Sequence, residues 1–167
     1  MQMNDSRLIA APPETVWAAL FDPQVLKACV PGCEELTGTP ADGFEAVVTQ
    51  KVGPVKARFT GLVTLTDIVP GQGCTITGEG KGGAAGFAKG SARVTLTPEG
   101  EGTRLDYAVE ANIGGKIAQL GSRIIDGFVR KMADEFFDRF QEAVEPADEA
   151  APEGEAPKKG WFKRLIG

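Results

Sequence analysis

Few side chains in this sequence can carry covalent or proton-transfer chemistry: three cysteines, one tyrosine and no histidine among 167 residues. Without imidazole there is no Ser–His or Cys–His nucleophile pair, no His metal site and no proton shuttle tuned near neutrality. Cys29 and Cys33 are separated by neither the spacing of a redox dithiol nor that of a paired zinc knuckle, and Cys74 is remote from both. All three read as small buried thiols. An acid or base role stays open only to a carboxylate or to Tyr107. The expectation is therefore a protein that is not an enzyme, with no catalytic and no metal-binding residue assigned.

The glycine-rich run from Gly78 to Gly90 invites comparison with a phosphate loop. It lacks the Gly-Lys-Ser/Thr ending that opens a helix, and Ser91-Ala92-Arg93-Val94 after it reads as a strand. The preferred reading is a mobile hairpin tip at the mouth of a cavity, with Phe87 as a gate. The last ten residues are of a different kind. On a helix at about 100° per residue, Trp161, Phe162, Leu165 and Ile166 fall within one arc, with Lys163 and Arg164 opposite. Lys158 and Lys159 precede them. Such a segment suits a membrane surface or a groove on a partner.

Charge is distributed unevenly. Net charge is −5 overall, made of −4 in residues 1–144, −5 in 145–157 and +4 in 158–167. An acidic body argues against nucleic acid as a partner, and a basic end suggests an anionic surface. The N-terminus shows no basic region followed by an apolar run, and no stretch approaches the length of a membrane span. Three unpairable cysteines fit a reducing compartment. These features predict a cytoplasmic protein attached peripherally to the inner face of the cell membrane. They also predict three parts: a folded domain over 1–144, an acidic flexible linker over 145–157 and a docking tail over 158–167.

The elements that position these residues follow from periodicity. Residues 6–11 predict a first strand. A helix begins at Pro12-Pro13-Glu14, with Val16, Trp17, Leu20 and Phe21 as its buried stripe, and Asp22-Pro23 caps a second short helix to about Ala28. From Cys33 to Ile113 the period is two, as in Ala57, Phe59, Val63 and Leu65 against Arg58, Thr60 and Thr64. Turn signals such as Gly53-Pro54 and Pro70-Gly71 divide this region into consecutive hairpins. Residues 116–144 predict one long covering helix, with Ile117, Leu120, Ile124, Phe128, Met132, Phe136 and Phe140 at three- or four-residue spacing. Gly121 and Gly127 within it cost roughly 1 kcal/mol each, which close packing or room for a ligand would offset.

The predicted fold class is thus α+β: a curved antiparallel sheet of seven strands wrapped on a long C-terminal helix, with two short helices after the first strand. This order resembles the START/Bet v 1-like helix-grip (SRPBCC) superfamily. Several segments narrow the likeness: Asp22-Pro23 before Leu26, Val30-Pro31-Gly32-Cys33-Glu34, Lys51-Val52-Gly53-Pro54-Val55, and Gly82-Gly83-Ala84 running into Gly90-Ser91-Ala92. Over about residues 3–144 the chain resembles the CoxG-like family of carbon monoxide dehydrogenase subunits.

That resemblance implies an apolar ligand held between helix and sheet, with no covalent cofactor. It also implies service to a carbon monoxide dehydrogenase-like molybdenum hydroxylase that is recruited to the inner membrane. The ligand expected is a lipid or an isoprenoid quinone, menaquinone or ubiquinone. Its cavity wall is expected to include Phe59, Val63, Phe87, Tyr107, Leu120, Ile124, Phe128 and Met132, with Tyr107 offering a polar contact. The membrane-binding set is Lys158, Lys159, Trp161, Phe162, Lys163, Arg164, Leu165 and Ile166. Two other readings stay open: a polyketide cyclase/aromatase-like enzyme acting in the same cavity, and a protein adaptor with a filled core.

Overall fold

The chain enters its fold through two proline-started helices. In the computed structural model, which describes residues 1–146, β1 (Gln2–Ile9) leads into α1 (Pro13–Leu20) and α2 (Pro23–Cys29). Each helix has its proline in the first turn, where the missing N–H would be unpaired anyway. Asp22 caps α2, its side chain accepting a hydrogen bond from the Gln24 amide at 2.9 Å. Val16 and Leu20 of α1 are buried, and Trp17 meets Phe21 edge to face at 4.7 Å.

Six strands follow as a meander: β2 (Cys33–Thr39), β3 (Gly43–Val52), β4 (Val55–Val69), β5 (Gly73–Lys81), β6 (Phe87–Glu99) and β7 (Gly102–Gly114). The sheet order is β1-β7-β6-β5-β4-β3-β2 with every neighbouring pair antiparallel. The predicted α+β helix-grip architecture is the observed one. The first strand is longer and earlier than residues 6–11, because Gln2 to Ile9 pair continuously with β7. Period-two alternation is strict on β4, where Ala57, Phe59, Val63 and Leu65 are half-buried and Arg58, Thr60 and Thr64 are exposed.

The covering helix differs from the one expected. Residues 116–120 form a 3-10 turn, Gly121 has φ 93°, and α3 (Ser122–Val144) begins only after it. A left-handed backbone at Gly121 breaks the hydrogen-bond ladder, so Gly121 is a joint and not a helix-interior glycine. Phase changes across this joint: Ile125 is buried, while Ile124 is 42% exposed.

Two apolar clusters hold the helix to the sheet. The larger includes Val16, Leu20, Leu96, Leu105, Phe137 and Phe140, and joins α1, β6, β7 and the C-terminal half of α3. The smaller has Val52, Ala85 and Ile117 at its centre, with Phe59, Leu120 and Phe128 packed on it. Polar contacts reinforce the C-terminal half of α3. Arg7 on β1 reaches Asp134 and Asp138, each at 3.1 Å, and lies 5.5 Å from the Phe137 ring centroid. Gln141 donates to the Leu8 carbonyl at 3.2 Å, and the Glu145 carboxylate accepts from the Ala10 amide at 3.0 Å. Glu145, placed in the linker by composition, is thereby tied to the folded domain. The remaining linker residues from 147 on, and the whole tail, lie outside the described residues.

Candidate functional site: a glycine-floored trough under the long helix

Between the two clusters the inner face of the sheet carries mostly glycine and alanine. Strand register places Ala111, Gly90, Gly78 and Val63 opposite one another across β7, β6, β5 and β4. The next row runs Ile113, Ala88, Gly80, Gly61 and Ala46 across β7 to β3. All share the inward parity of the buried Cys74, Val94 and Leu105. Glycine in a strand interior is costly unless something must approach closely.

At Gly90 a Cβ would come within 2.6 Å of the Glu110 carbonyl, so close backbone approach accounts for that glycine; the other three have room for a side chain. A Cβ at Gly78 would come no nearer than 3.6 Å to Val63 and 3.7 Å to the Leu62 carbonyl; at Gly80 the nearest atom is 3.8 Å away. At Gly61 the nearest is the Glu79 carbonyl at 3.4 Å. None of these three has a positive φ. Neither packing nor backbone conformation requires glycine at these positions. The result is a trough crossing four strand spacings, about 19 Å at ~4.8 Å each.

α3 spans the trough from one cluster to the other. Beside the β3–β4 hairpin it leaves a groove of about 290 Å³ lined by Gln50, Lys51, Gly53, Ile124, Gly127, Phe128, Lys131, Met132 and Glu135. Gly127 lies in this groove, and a Cβ there would meet nothing within 4 Å. Its helix-weakening cost is therefore not offset by close packing; it widens the opening. Gln50, Lys51, Lys131 and Glu135 make this groove more polar than apolar, with Ile124, Phe128 and Met132 as its apolar part.

The expected wall residues separate into groups. Phe59, Leu120 and Phe128 come together in the smaller cluster, and Phe128 also lines the groove. Val63 lies on the floor, and Met132 and Ile124 line the groove, Ile124 at its exposed rim. Phe87 is a correction. Its parity on β6 is opposite to that of Val94, its ring lies across Gly114 on the outer face, and it is 45% exposed. It is neither wall nor gate. Most of the glycine run around it is also not a hairpin tip: Gly78–Lys81 belong to β5 and Phe87–Gly90 to β6, leaving only 82–86 as the connection.

Tyr107 stands apart from the aromatic wall group. It lies four residues along β7 from Ala111, within the larger cluster, stacked on Phe137 at 4.9 Å. Its buried hydroxyl has no hydrogen-bond partner among the described residues. Burial pushes the phenol above its ordinary range; the nearby Asp5 carboxylate adds to this and Arg7 opposes it. Burial likewise raises the thiols of Cys29, Cys33 and Cys74. Among the described residues no three His, Cys, Asp or Glu side chains are grouped to hold a metal ion, and no helix is long and apolar enough to cross a membrane.

The floor itself was missed by sequence reasoning. Gly78 and Gly80 continue the inward period of Cys74 and Ile76, a signal hidden by reading the run as a loop.

Proteins of known structure share this sheet and its covering helix. A conserved protein from Geobacillus kaustophilus has 30% identity over 86% of this chain and 95% of its own, with TM-score 0.81. Protein CV1439 from Chromobacterium violaceum has 20% identity over 87% of this chain and 98% of its own, at TM-score 0.67. A protein from Thermus thermophilus has 20% identity over 86% and 97%, at TM-score 0.64. No curated protein matches the sequence. The family model for CoxG, a carbon monoxide dehydrogenase subunit, matches residues 6–145, from β1 through the end of α3. With that span covering the sheet, the trough and the helix above it, the chain belongs to the CoxG family of carbon monoxide dehydrogenase subunits.

Proposed function

We propose that this chain is a non-enzymatic accessory protein of a carbon monoxide dehydrogenase-like molybdenum hydroxylase. It binds an apolar lipid or isoprenoid quinone in the trough and brings the enzyme to the membrane through residues 158–167. Membership of the CoxG family suggests the accessory role. The observation that carries the ligand reading is the floor of Gly61, Gly78 and Gly80, which leaves open space where ordinary strand residues would fit.

An extended apolar chain suits a trough floored by backbone and small apolar side chains, and Met132 and Phe128 of α3 would offer it apolar surface. A cyclase would need an acid or base on that floor. The tyrosine hydroxyl is displaced from it by four residues of β7, and the floor side chains themselves are apolar.

The ligand is tested by extracting lipids from the purified full chain and identifying them by mass spectrometry. A co-purifying prenyl quinone or lipid supports carriage; an empty protein that turns over an aromatic substrate supports the cyclase reading. Attachment is tested by vesicle flotation after deleting 158–167, which should move the protein largely to the soluble fraction. Unchanged flotation would rule out the tail as the anchor.

A further inference from the structure

We propose that the folded domain carries a second, electrostatic membrane contact: the pole formed by the β3–β4, β5–β6 and β7–α3 connections docks on an anionic bilayer. The proposal rests on the membrane-attachment reading above but involves none of residues 158–167. Antiparallel pairing gathers these three connections at one end of the sheet. Residues 50–58, 80–90 and 111–125 contain no Asp or Glu, and they carry Lys51, Lys56, Arg58, Lys81, Lys89, Lys116 and Arg123. Arg58 is paired with Glu34 at 3.1 Å, and Lys89 stands opposite Glu79. The other five are exposed and make no ion pair among the described residues. On α3, Asp126 and Glu135 are the neighbouring acids.

The opposite end is the reverse. Residues 39–45, 67–73 and 98–103 hold Asp42, Glu45, Asp67, Glu99 and Glu101 and no Lys or Arg. The domain is a charge dipole along its strands although its net charge is negative. Two further observations select a lipid surface. Lys51 and Lys56 are direct cross-strand partners, an arrangement that repels within the hairpin and that an anionic surface relieves. Exposed Ile124 and the Gly53-Pro54 tip project apolar surface among these charges, beside the groove under α3. Docking by this pole would present the groove to the source of an apolar ligand.

The test uses the full chain with its tail intact, and vesicles of phosphatidylcholine with or without phosphatidylglycerol. Each basic side chain near an anionic leaflet strengthens binding about fivefold. The triple variant Lys51→Glu, Lys56→Glu, Lys116→Glu should therefore bind phosphatidylglycerol vesicles at least about a hundredfold more weakly. A control with the same charge change away from the pole, Arg93→Glu, Arg104→Glu, Arg139→Glu, should stay close to wild type. Circular dichroism verifies folding; if the Glu variant misfolds, the corresponding Gln variant makes the same prediction at about the same size.

Wild-type flotation of the pole variant overturns the proposal while leaving the tail anchor standing. Equal losses in pole and control variants reduce it to net charge and overturn it as well. Retained vesicle binding with lost co-elution of the dehydrogenase would assign the pole to the protein partner instead.

Discussion

Filling the trough should separate ligand binding from folding. Gly78→Val places a Cβ at ordinary contact distance, 3.6 Å from Val63, on a backbone with no positive φ. Removing a strand-interior glycine stabilises by about 0.5–1 kcal/mol through lost unfolded-state freedom. The melting midpoint should stay level or rise by roughly 2–4 °C. The three added carbons displace a similar number of ligand carbons, at about 0.8 kcal/mol each. Affinity for an apolar ligand should fall by about 2.4 kcal/mol, roughly fiftyfold. The assay pairs thermal unfolding with quantitation of lipid extracted from wild-type and variant protein. A variant that folds normally and co-purifies the same ligand in full amount would show that the trough is not the site. A destabilisation of several kcal/mol would show that the space above Gly78 is already filled.

Phe140 is fully buried and lies 5.7 Å from Phe136 in a stacked pair. Phe140→Ala should cost about 3–5 kcal/mol, lowering the melting midpoint by roughly 10 °C, as read by calorimetry. A change under about 1 kcal/mol would contradict the packing described. Tyr107 is the single tyrosine of the chain, so alkaline absorbance reports it alone. Its phenol is held above the ordinary value of 10.0, first by burial and then by Asp5. The neutral form is favoured in the folded state, so this contribution to stability is intact below pH 10.0 and lost as pH rises through the raised folded value. Ionisation at an ordinary pH with the fold intact would contradict its burial.

The architecture was legible because it rests on patterns that short segments carry by themselves. Asp22-Pro23 states a cap and a helix start, and the alternation of Ala57, Phe59, Val63 and Leu65 states a one-sided strand. The site was less legible because its floor consists of absent side chains. Glycine signals turn and strand floor alike, and only cross-strand register shows that Gly78, Gly80 and Gly61 are neighbours. Phe87 failed for a related reason: its face depends on where β6 begins after Gly86, and one residue of register reverses it. Ile124 and Ile125 are adjacent candidates for one stripe. The joint at Gly121, a conformational feature invisible to hydrophobic periodicity, decides between them.

The most direct test is a crystal structure of the full chain with a prenyl quinone bound. Continuous density should run over Gly78, Gly80 and Gly61 and leave the trough past Met132 and Phe128. Density confined to the outer face, or α3 side chains seated directly on those three glycines, would contradict carriage in the trough.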